Sequence, residues 1–195
     1  MTERAALSSG IPADATLPPR HPHAPAPGEQ IASHYHRCVG CGRDYPTGLR
    51  VVVTAGEGLT LSGSFTVTED HQGAPGLAHG GMLALAFDEV LGSLIWLVAM
   101  PAVTGHLETD FRRPVPVGTT LHITAQVDGW SGRRLYVSAV GRSDDPGGPV
   151  AVRAKAVFVI VSGEHFRIHG RREDVDAALA HDHVRQAARA VEVNP

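Results

Sequence analysis

A long apolar run that contains two carboxylates constrains the fold of this chain most. The run extends from Met82 to Met100, and Asp88 and Glu89 lie near its middle. Its length approaches that of a membrane span, but charges at the centre of such a span cost several kcal/mol in lipid. A helix that is apolar on nearly all sides is also typical of the centre of a soluble domain. We therefore expect a buried central helix, covered by other elements, and no membrane span.

Glycines at the start of the run indicate a site that binds an oxygen atom. His79, Gly80 and Gly81 directly precede the apolar residues. The first N–H groups of a helix lack intrahelical partners and carry partial positive charge, and glycine lets a ligand approach the backbone closely. These are the properties of an oxyanion hole. An ionised Asp88 among apolar neighbours is costly unless the carboxylate has a partner or a catalytic role. A carboxylate together with an oxyanion hole favours acyl transfer.

The spacing of these groups predicts a site shared between two chains. Eight residues at a rise of about 1.5 Å separate the Gly80 amide from Asp88 by roughly 12 Å along one helix. One helix cannot bring both groups to the same carbonyl. If they act together, the amide comes from one protomer and the carboxylate from another, which places the site at a dimer interface.

Composition excludes several other classes of protein. The 195 residues include 43% hydrophobic residues, enough for one domain with a sizeable core, and the net charge of −3 is not arranged in a basic stripe. We therefore expect no nucleic-acid partner. Two cysteines are too few for a disulfide framework, and no secretory signal is visible near Met1, so a cytoplasmic location is expected.

The order of elements predicts an α+β fold. Residues 1–35 are rich in Pro and Ala and are expected to form a disordered, mobile tail, and residues 36–170 form the domain. Residues 171–195 are expected to form a peripheral helix or tail. Period-two alternation within the domain predicts two strands before the helix and four in a meander after it. An antiparallel six-stranded sheet wrapped around the long central helix is the simplest arrangement.

Three segments carry a family resemblance. They are Gly76-Leu-Ala-His-Gly-Gly81 with Asp88 nine positions after His79, Thr104 at the start of the next strand, and residues 111–118, Phe-Arg-Arg-Pro-Val-Pro-Val-Gly. Together they resemble the hot-dog fold thioesterases of the phenylacetate-pathway type and are similar to the mitochondrial acyl-CoA thioesterases. The resemblance spans most of the predicted domain.

The resemblance implies a reaction and roles for individual residues. Asp88 would be the nucleophile or general base in thioester hydrolysis, and the Gly80 amide would polarise the carbonyl from the neighbouring subunit. Thr104 would place the attacking water or the carboxylate. Coenzyme A would bind across the interface of a homo-oligomer, a dimer or a dimer of dimers, and no metal or redox cofactor is implied.

A further catalytic candidate, His79, and several substrate-binding residues are expected before and after the helix in the sequence. His79 would orient the loop or contact ligand, unless it is a structural histidine at the helix start, and Gly81 lies beside the carbonyl-binding amide. The paired residues Arg112 and Arg113 match phosphate oxygens. Relatives often carry Asn or Gln six residues before the motif histidine, whereas this chain has Gly73, so Gln72 or His71 would have to replace that amide.

Cys38 and Cys41, preceded by His34 and His36, have the spacing of half a zinc site. A complete structural site normally has a second ligand pair further along, and none is evident, so we predict no metal. Glu89 points about 100° around the helix from Asp88 and is interpreted as an interface or supporting residue.

The sequence thus predicts an acyl-CoA thioesterase and leaves two alternatives. A hot-dog hydratase or dehydratase would be expected to use a catalytic histidine with its acid, and no matching arrangement surrounds the helix. A non-catalytic acyl-CoA-binding or regulatory module with the same pocket stays open because of Gly73.

Overall fold

A computed structural model of the chain describes residues 7–180. These residues form seven strands, four helices and a 3-10 turn at Glu69–His71. The elements in chain order are β1 (Gln30–Ile31), β2 (Val52–Ala55), β3 (Thr60–Thr66), α1 (Gly80–Gly92), α2 (Ile95–Val98), β4 (Ala102–Phe111), β5 (Thr120–Ser131), β6 (Arg134–Ser143), β7 (Val150–Ile160), α3 (Gly163–His169) and α4 (Arg172–Leu179).

One antiparallel sheet contains all seven strands in the order β1-β2-β3-β5-β6-β7-β4. The predicted architecture of an antiparallel sheet with a central helix is confirmed, with β1 as a strand beyond the six expected. The prediction of a four-strand meander after the helix is wrong for β4. Strands β5, β6 and β7 do form a meander, but β4 pairs with β7 at the far edge of the sheet. The reason is that α1 crosses the face of the sheet and delivers the chain to the opposite edge.

Two glycines in the sheet let α1 pack closely against it. A methyl group at Gly63 would lie 2.5 Å from Val90 Cγ2, and one at Gly141 would lie 2.6 Å from Phe87 Cζ. Both helix side chains are fully buried, together with Leu91. The sheet glycines therefore create the depressions that the largest side chains of α1 occupy.

The apolar run is divided into two helices. Gly80–Val98 is long and apolar enough to cross a membrane by length and composition, with a mean hydropathy of 1.7, and half of it is buried inside the fold. Helix α1 ends where the Ser93 hydroxyl donates to the Glu89 carbonyl at 2.9 Å. After α2, Ala99 adopts a left-handed conformation with φ of 51° and turns the chain into β4. The stretch packs as the core of the domain.

The Pro-rich segment before the domain lies on the sheet over residues 7–35, in contrast to the expected mobile tail. Thr16 and Trp130 exchange two backbone hydrogen bonds of 3.0 and 2.7 Å, and His21 N–H donates to the Leu97 carbonyl at 2.8 Å. Pro18 is buried, and the Arg20 guanidinium donates to the Gly56 carbonyl at 3.0 Å. Proline has no backbone N–H that needs an acceptor, so few hydrogen bonds are needed to satisfy the backbone donors of this segment. Residues 1–6 and 181–195 lie outside the described residues.

Candidate active site

Asp88 lies in the third turn of α1 and is held by the edge strand. The Thr104 hydroxyl, near the start of β4, donates to Asp88 Oδ1 at 2.9 Å. Burial raises the pKa of the Asp88 carboxyl above its ordinary value, and the Thr104 hydrogen bond acts in the opposite direction. The structure thus brings Thr104 and Asp88 into direct contact. Since Thr104 binds one carboxylate oxygen, the other oxygen is available to a water or a substrate.

The first turn of α1 leaves one backbone N–H group available to a ligand. His79 is the N-cap, with φ of −68° and ψ of 133°, and its Nδ1 accepts a hydrogen bond from the Gly81 N–H at 2.9 Å. Within residues 7–180 the Gly80 N–H has no acceptor. The structure therefore gives His79 a capping position, and leaves the Gly80 amide free to bind a ligand oxygen.

A groove of about 300 Å³ begins at this amide. Gly80 and Leu83 form one wall, and Phe111, Arg112 and Arg113 form another. Phe111 is 49% exposed, which is unusual for a large apolar side chain. The structure thus brings the predicted carbonyl-binding amide and the predicted phosphate-binding arginines to one groove.

The two arginines in this groove differ in their partners. The Arg112 guanidinium forms an ion pair with Asp110. The Arg113 guanidinium has no hydrogen-bond or ion-pair partner within the described part of the chain. Both backbone amides donate to the Ala151 carbonyl on β7, at 2.8 and 3.1 Å, which fixes the turn after β4. Arg113 is therefore the freer of the two cations.

Asp88 does not line the groove that contains Gly80. The hydroxyl that binds Asp88 is near the start of β4, whereas a methyl group at Gly80 would be 3.5 Å from the Phe111 ring at the end of β4. Within one chain the two predicted catalytic groups are thus at opposite ends of the same strand.

In the loop before α1, Gln72 and His71 are the candidates to replace the Asn or Gln that relatives carry in place of Gly73. Both side chains already form hydrogen bonds within the loop. Gln72 Oε1 accepts from the Gly76 N–H at 2.7 Å, and its Nε2 donates to the Glu69 carbonyl at 3.2 Å. His71 is buried, and its Nδ1 accepts from the Thr68 N–H at 3.0 Å. A methyl group at Gly73 would lie only 2.9 Å from the His79 ring. An Asn or Gln at residue 73 would therefore displace His79.

A second cluster of polar groups lies beside α1. The ligating atoms of His34, Cys38, Cys41 and Glu89 all lie within 4.8 Å of one another. A hydrogen bond with Cys41 lowers the pKa of the Cys38 thiol, and burial raises the pKa of the Glu89 carboxyl. Sequence reasoning identified the two cysteines and the histidine but missed Glu89 as their partner. The sequence signal that could have identified Glu89 is its position as a second carboxylate in an otherwise apolar run.

Comparison with known proteins shows what the central part of the chain resembles. Residues 75–150 match the sequence model of the Thioesterase superfamily, and these residues include α1, β4 and β5. This central part of the chain is therefore similar to thioesterase-superfamily proteins. The fold of the chain agrees with that of protein RHA08564, a thioesterase superfamily protein, at a TM-score of 0.59, with 29% identity and 70% of each chain covered.

Two further proteins are similar to this chain, one in sequence and one in fold. The bovine acyl-coenzyme A thioesterase THEM4 is 42% identical over 74 residues, which are 38% of this chain and 30% of THEM4. The PaaI protein from the phenylacetic acid degradation operon of E. coli shares the fold at a TM-score of 0.54, with 19% identity over 58% of this chain and 81% of PaaI. The predicted hot-dog fold is confirmed. The match to the curated relative spans about a third of that relative's length.

Proposed function

We propose that this protein is an acyl-CoA thioesterase that hydrolyses a thioester to a free acid and coenzyme A. The observation that carries the proposal is the Asp88 carboxylate, which Thr104 holds at 2.9 Å on the helix whose first turn presents the Gly80 amide. Similarity to proteins named acyl-coenzyme A thioesterases supports the same substrate class.

The geometry supports a two-part mechanism. Asp88 takes a proton from a water whose oxygen attacks the thioester carbonyl carbon, and the Gly80 N–H donates to the resulting oxyanion. The carbon–sulfur bond then breaks, and the coenzyme A thiolate receives the proton from Asp88. Direct attack by Asp88 on the same carbon, through an anhydride that water hydrolyses, gives the same products. Thr104 positions the carboxylate in both routes.

The two groups would meet across a two-fold interface. Within residues 7–180, strand β4 pairs with β7 on one side only, and such an unpaired edge is a template for pairing with another chain. Antiparallel pairing of two β4 strands brings the start of one beside the end of the other. The carboxylate held near Thr104 of one protomer would then approach the amide beside Phe111 of its partner. This arrangement satisfies the separation predicted from the helix rise.

The arginines at the groove would hold the nucleotide part of the substrate. Arg113 is exposed and unpaired among the described residues, and a guanidinium matches phosphate oxygens. Arg112 would contribute once phosphate competes with Asp110 for its guanidinium.

A cytoplasmic location remains a prediction from the sequence.

Thiol release from a panel of short, long and aromatic acyl-CoA esters tests the proposal. The wild type is compared with Asp88→Asn, and with Asp176→Asn on the exposed helix α4 as a matched control. We expect turnover of at least one ester that falls by about 10² or more in Asp88→Asn, the usual scale for a lost acid or base, and is unchanged in the control. Turnover independent of Asp88 would refute the mechanism. Ester binding without any turnover would assign the binding-module alternative.

A further inference from the structure

The cluster beside α1 has the dimensions of a metal site. Cys38 Sγ lies 3.3 Å from Glu89 Oε2, Cys41 Sγ lies 3.4 Å from His34 Nδ1, and that nitrogen lies 3.7 Å from Glu89 Oε1. Four ligands at about 2.0–2.3 Å from a tetrahedral zinc ion are separated from each other by about 3.3–3.8 Å. These three separations fall in this range, and all four ligating atoms lie within 4.8 Å of one another.

We propose that His34, Cys38, Cys41 and Glu89 bind one Zn²⁺ ion in a structural site. Two thiolates, an imidazole and a carboxylate form a ligand set that suits zinc, whereas magnesium and calcium prefer oxygen ligands alone. Four protein ligands complete the tetrahedron and leave no open position, which is the pattern of a structural site. The proposal is independent of the reaction assigned to Asp88.

The loop that carries the cysteines is shaped around Glu89. A methyl group at Gly40 would lie 2.2 Å from Glu89 Oε2, so only glycine admits the carboxylate to the space between the two cysteines. The Gly40 N–H donates to Cys38 Sγ at 3.4 Å, and the Gly42 N–H donates to the Cys38 carbonyl at 2.8 Å. The Gly40 N–H would stabilise a Cys38 thiolate, and the Gly42 hydrogen bond fixes the turn of the loop.

Charge and access also favour a bound cation. Three acidic groups, two thiols and a carboxyl, lie within 4.8 Å of one another in a half-buried position. A divalent cation would offset the repulsion between their deprotonated forms. The His34 side chain is 48% exposed and borders a cavity of about 550 Å³ that Arg43 and Trp96 also line. This cavity provides a route for the ion.

The consequence for the fold is a cross-link between distant parts of the chain. Glu89 is on α1, 51 residues after Cys38, and it follows Asp88 directly. A zinc ion would therefore fix the loop of residues 34–41 against the central helix.

Metal content of the full-length protein, purified under reducing conditions, provides the test. We expect about one zinc per chain, and after removal of zinc and addition of Co²⁺ we expect a thiolate-to-cobalt charge-transfer band with intense visible bands of a tetrahedral site. Cys41→Ser and Glu89→Gln should each weaken zinc binding by about 10² or more, since changes outside the ligand shell alone cost 10–100-fold. His23→Gln, an exposed histidine of the same segment, should leave binding unchanged.

Several results would overturn the proposal. Wild-type protein with free thiols that fails to bind added zinc, or a cobalt complex without the charge-transfer band, would exclude the site even if a variant failed to fold. Full zinc retention in both ligand variants would place the metal elsewhere. A Cys38–Cys41 disulfide in metal-free protein from reducing preparations would identify a redox pair instead.

Discussion

Replacing Gly80 with proline removes the proposed oxyanion donor and little else. Gly80 is the first residue of α1, where its N–H has no intrahelical acceptor and where proline is favoured. His79, with φ of −68° and ψ of 133°, already has the extended conformation that a residue before proline requires. The nearest atom to a methyl group at Gly80 is Phe111 Cζ at 3.5 Å, an ordinary contact. We therefore expect Gly80→Pro to fold.

The expected loss of activity follows from the single hydrogen bond removed. Loss of one oxyanion donor lowers kcat by about 10²–10³, or roughly 2.7–4 kcal/mol of transition-state stabilisation. Gly80→Ala keeps the N–H and adds only the methyl group, so its kcat should stay within a few-fold of wild type. The two variants thus separate the amide hydrogen from the bulk at this position.

The assay is steady-state thiol release from the best acyl-CoA ester, with thermal unfolding of each variant as the control for folding. Wild-type activity in Gly80→Pro would refute the assignment of this amide as the oxyanion donor. An equal loss in Gly80→Ala and Gly80→Pro would also contradict it, because a steric effect would then explain both.

Three further predictions concern the carboxylate, the core and the metal. Thr104→Val keeps the side-chain shape but removes the hydroxyl that binds Asp88, so kcat should fall by about 10-fold or more, since hydrogen bonds to charged groups contribute about 1.5–3 kcal/mol; steady-state kinetics measures this, and unchanged kcat would contradict it. Gly63→Ala should lower the free energy of unfolding by about 1–3 kcal/mol in denaturant unfolding, because its methyl group would meet Val90 Cγ2 at 2.5 Å. Val90→Ala in the same chain should recover part of this loss of stability. If the losses of stability from the two substitutions simply add, that result would argue against the close contact. Removal of zinc should lower the melting temperature by about 10 °C, as an ion at 1,000 times its Kd contributes about 4.1 kcal/mol; an unchanged melting temperature would contradict a structural role.

The central helix and its first turn were predictable because their signals are local. The glycines at residues 80 and 81 and the long apolar run after them identify the start and the burial of α1 directly. The separation of Gly80 from Asp88 follows from the rise of a helix alone. The catalytic roles of these residues remain predictions that the kinetic measurements test.

Features that depend on distant pairing were not predictable in the same way. The position of β4 beside β7 depends on which edge of the sheet the chain reaches after α1, and strand alternation carries no information about that edge. The Pro-rich segment has no apolar periodicity, yet isolated contacts such as that of Thr16 with Trp130 hold it on the sheet. Glu89 joins the cysteine loop from 51 residues away, a partnership that no short motif describes.

Mixing two inactive variants tests the shared site most directly. Asp88→Asn and Gly80→Pro are each inactivated in one half of the proposed site, and equal amounts are mixed under conditions that allow subunits to exchange. Half of the dimers should then be hybrids in which one of the two sites is intact, so activity should return to about one quarter of wild type. Hybrids whose formation is verified by mass spectrometry of differently tagged chains, but which stay inactive, would contradict a site built from two protomers.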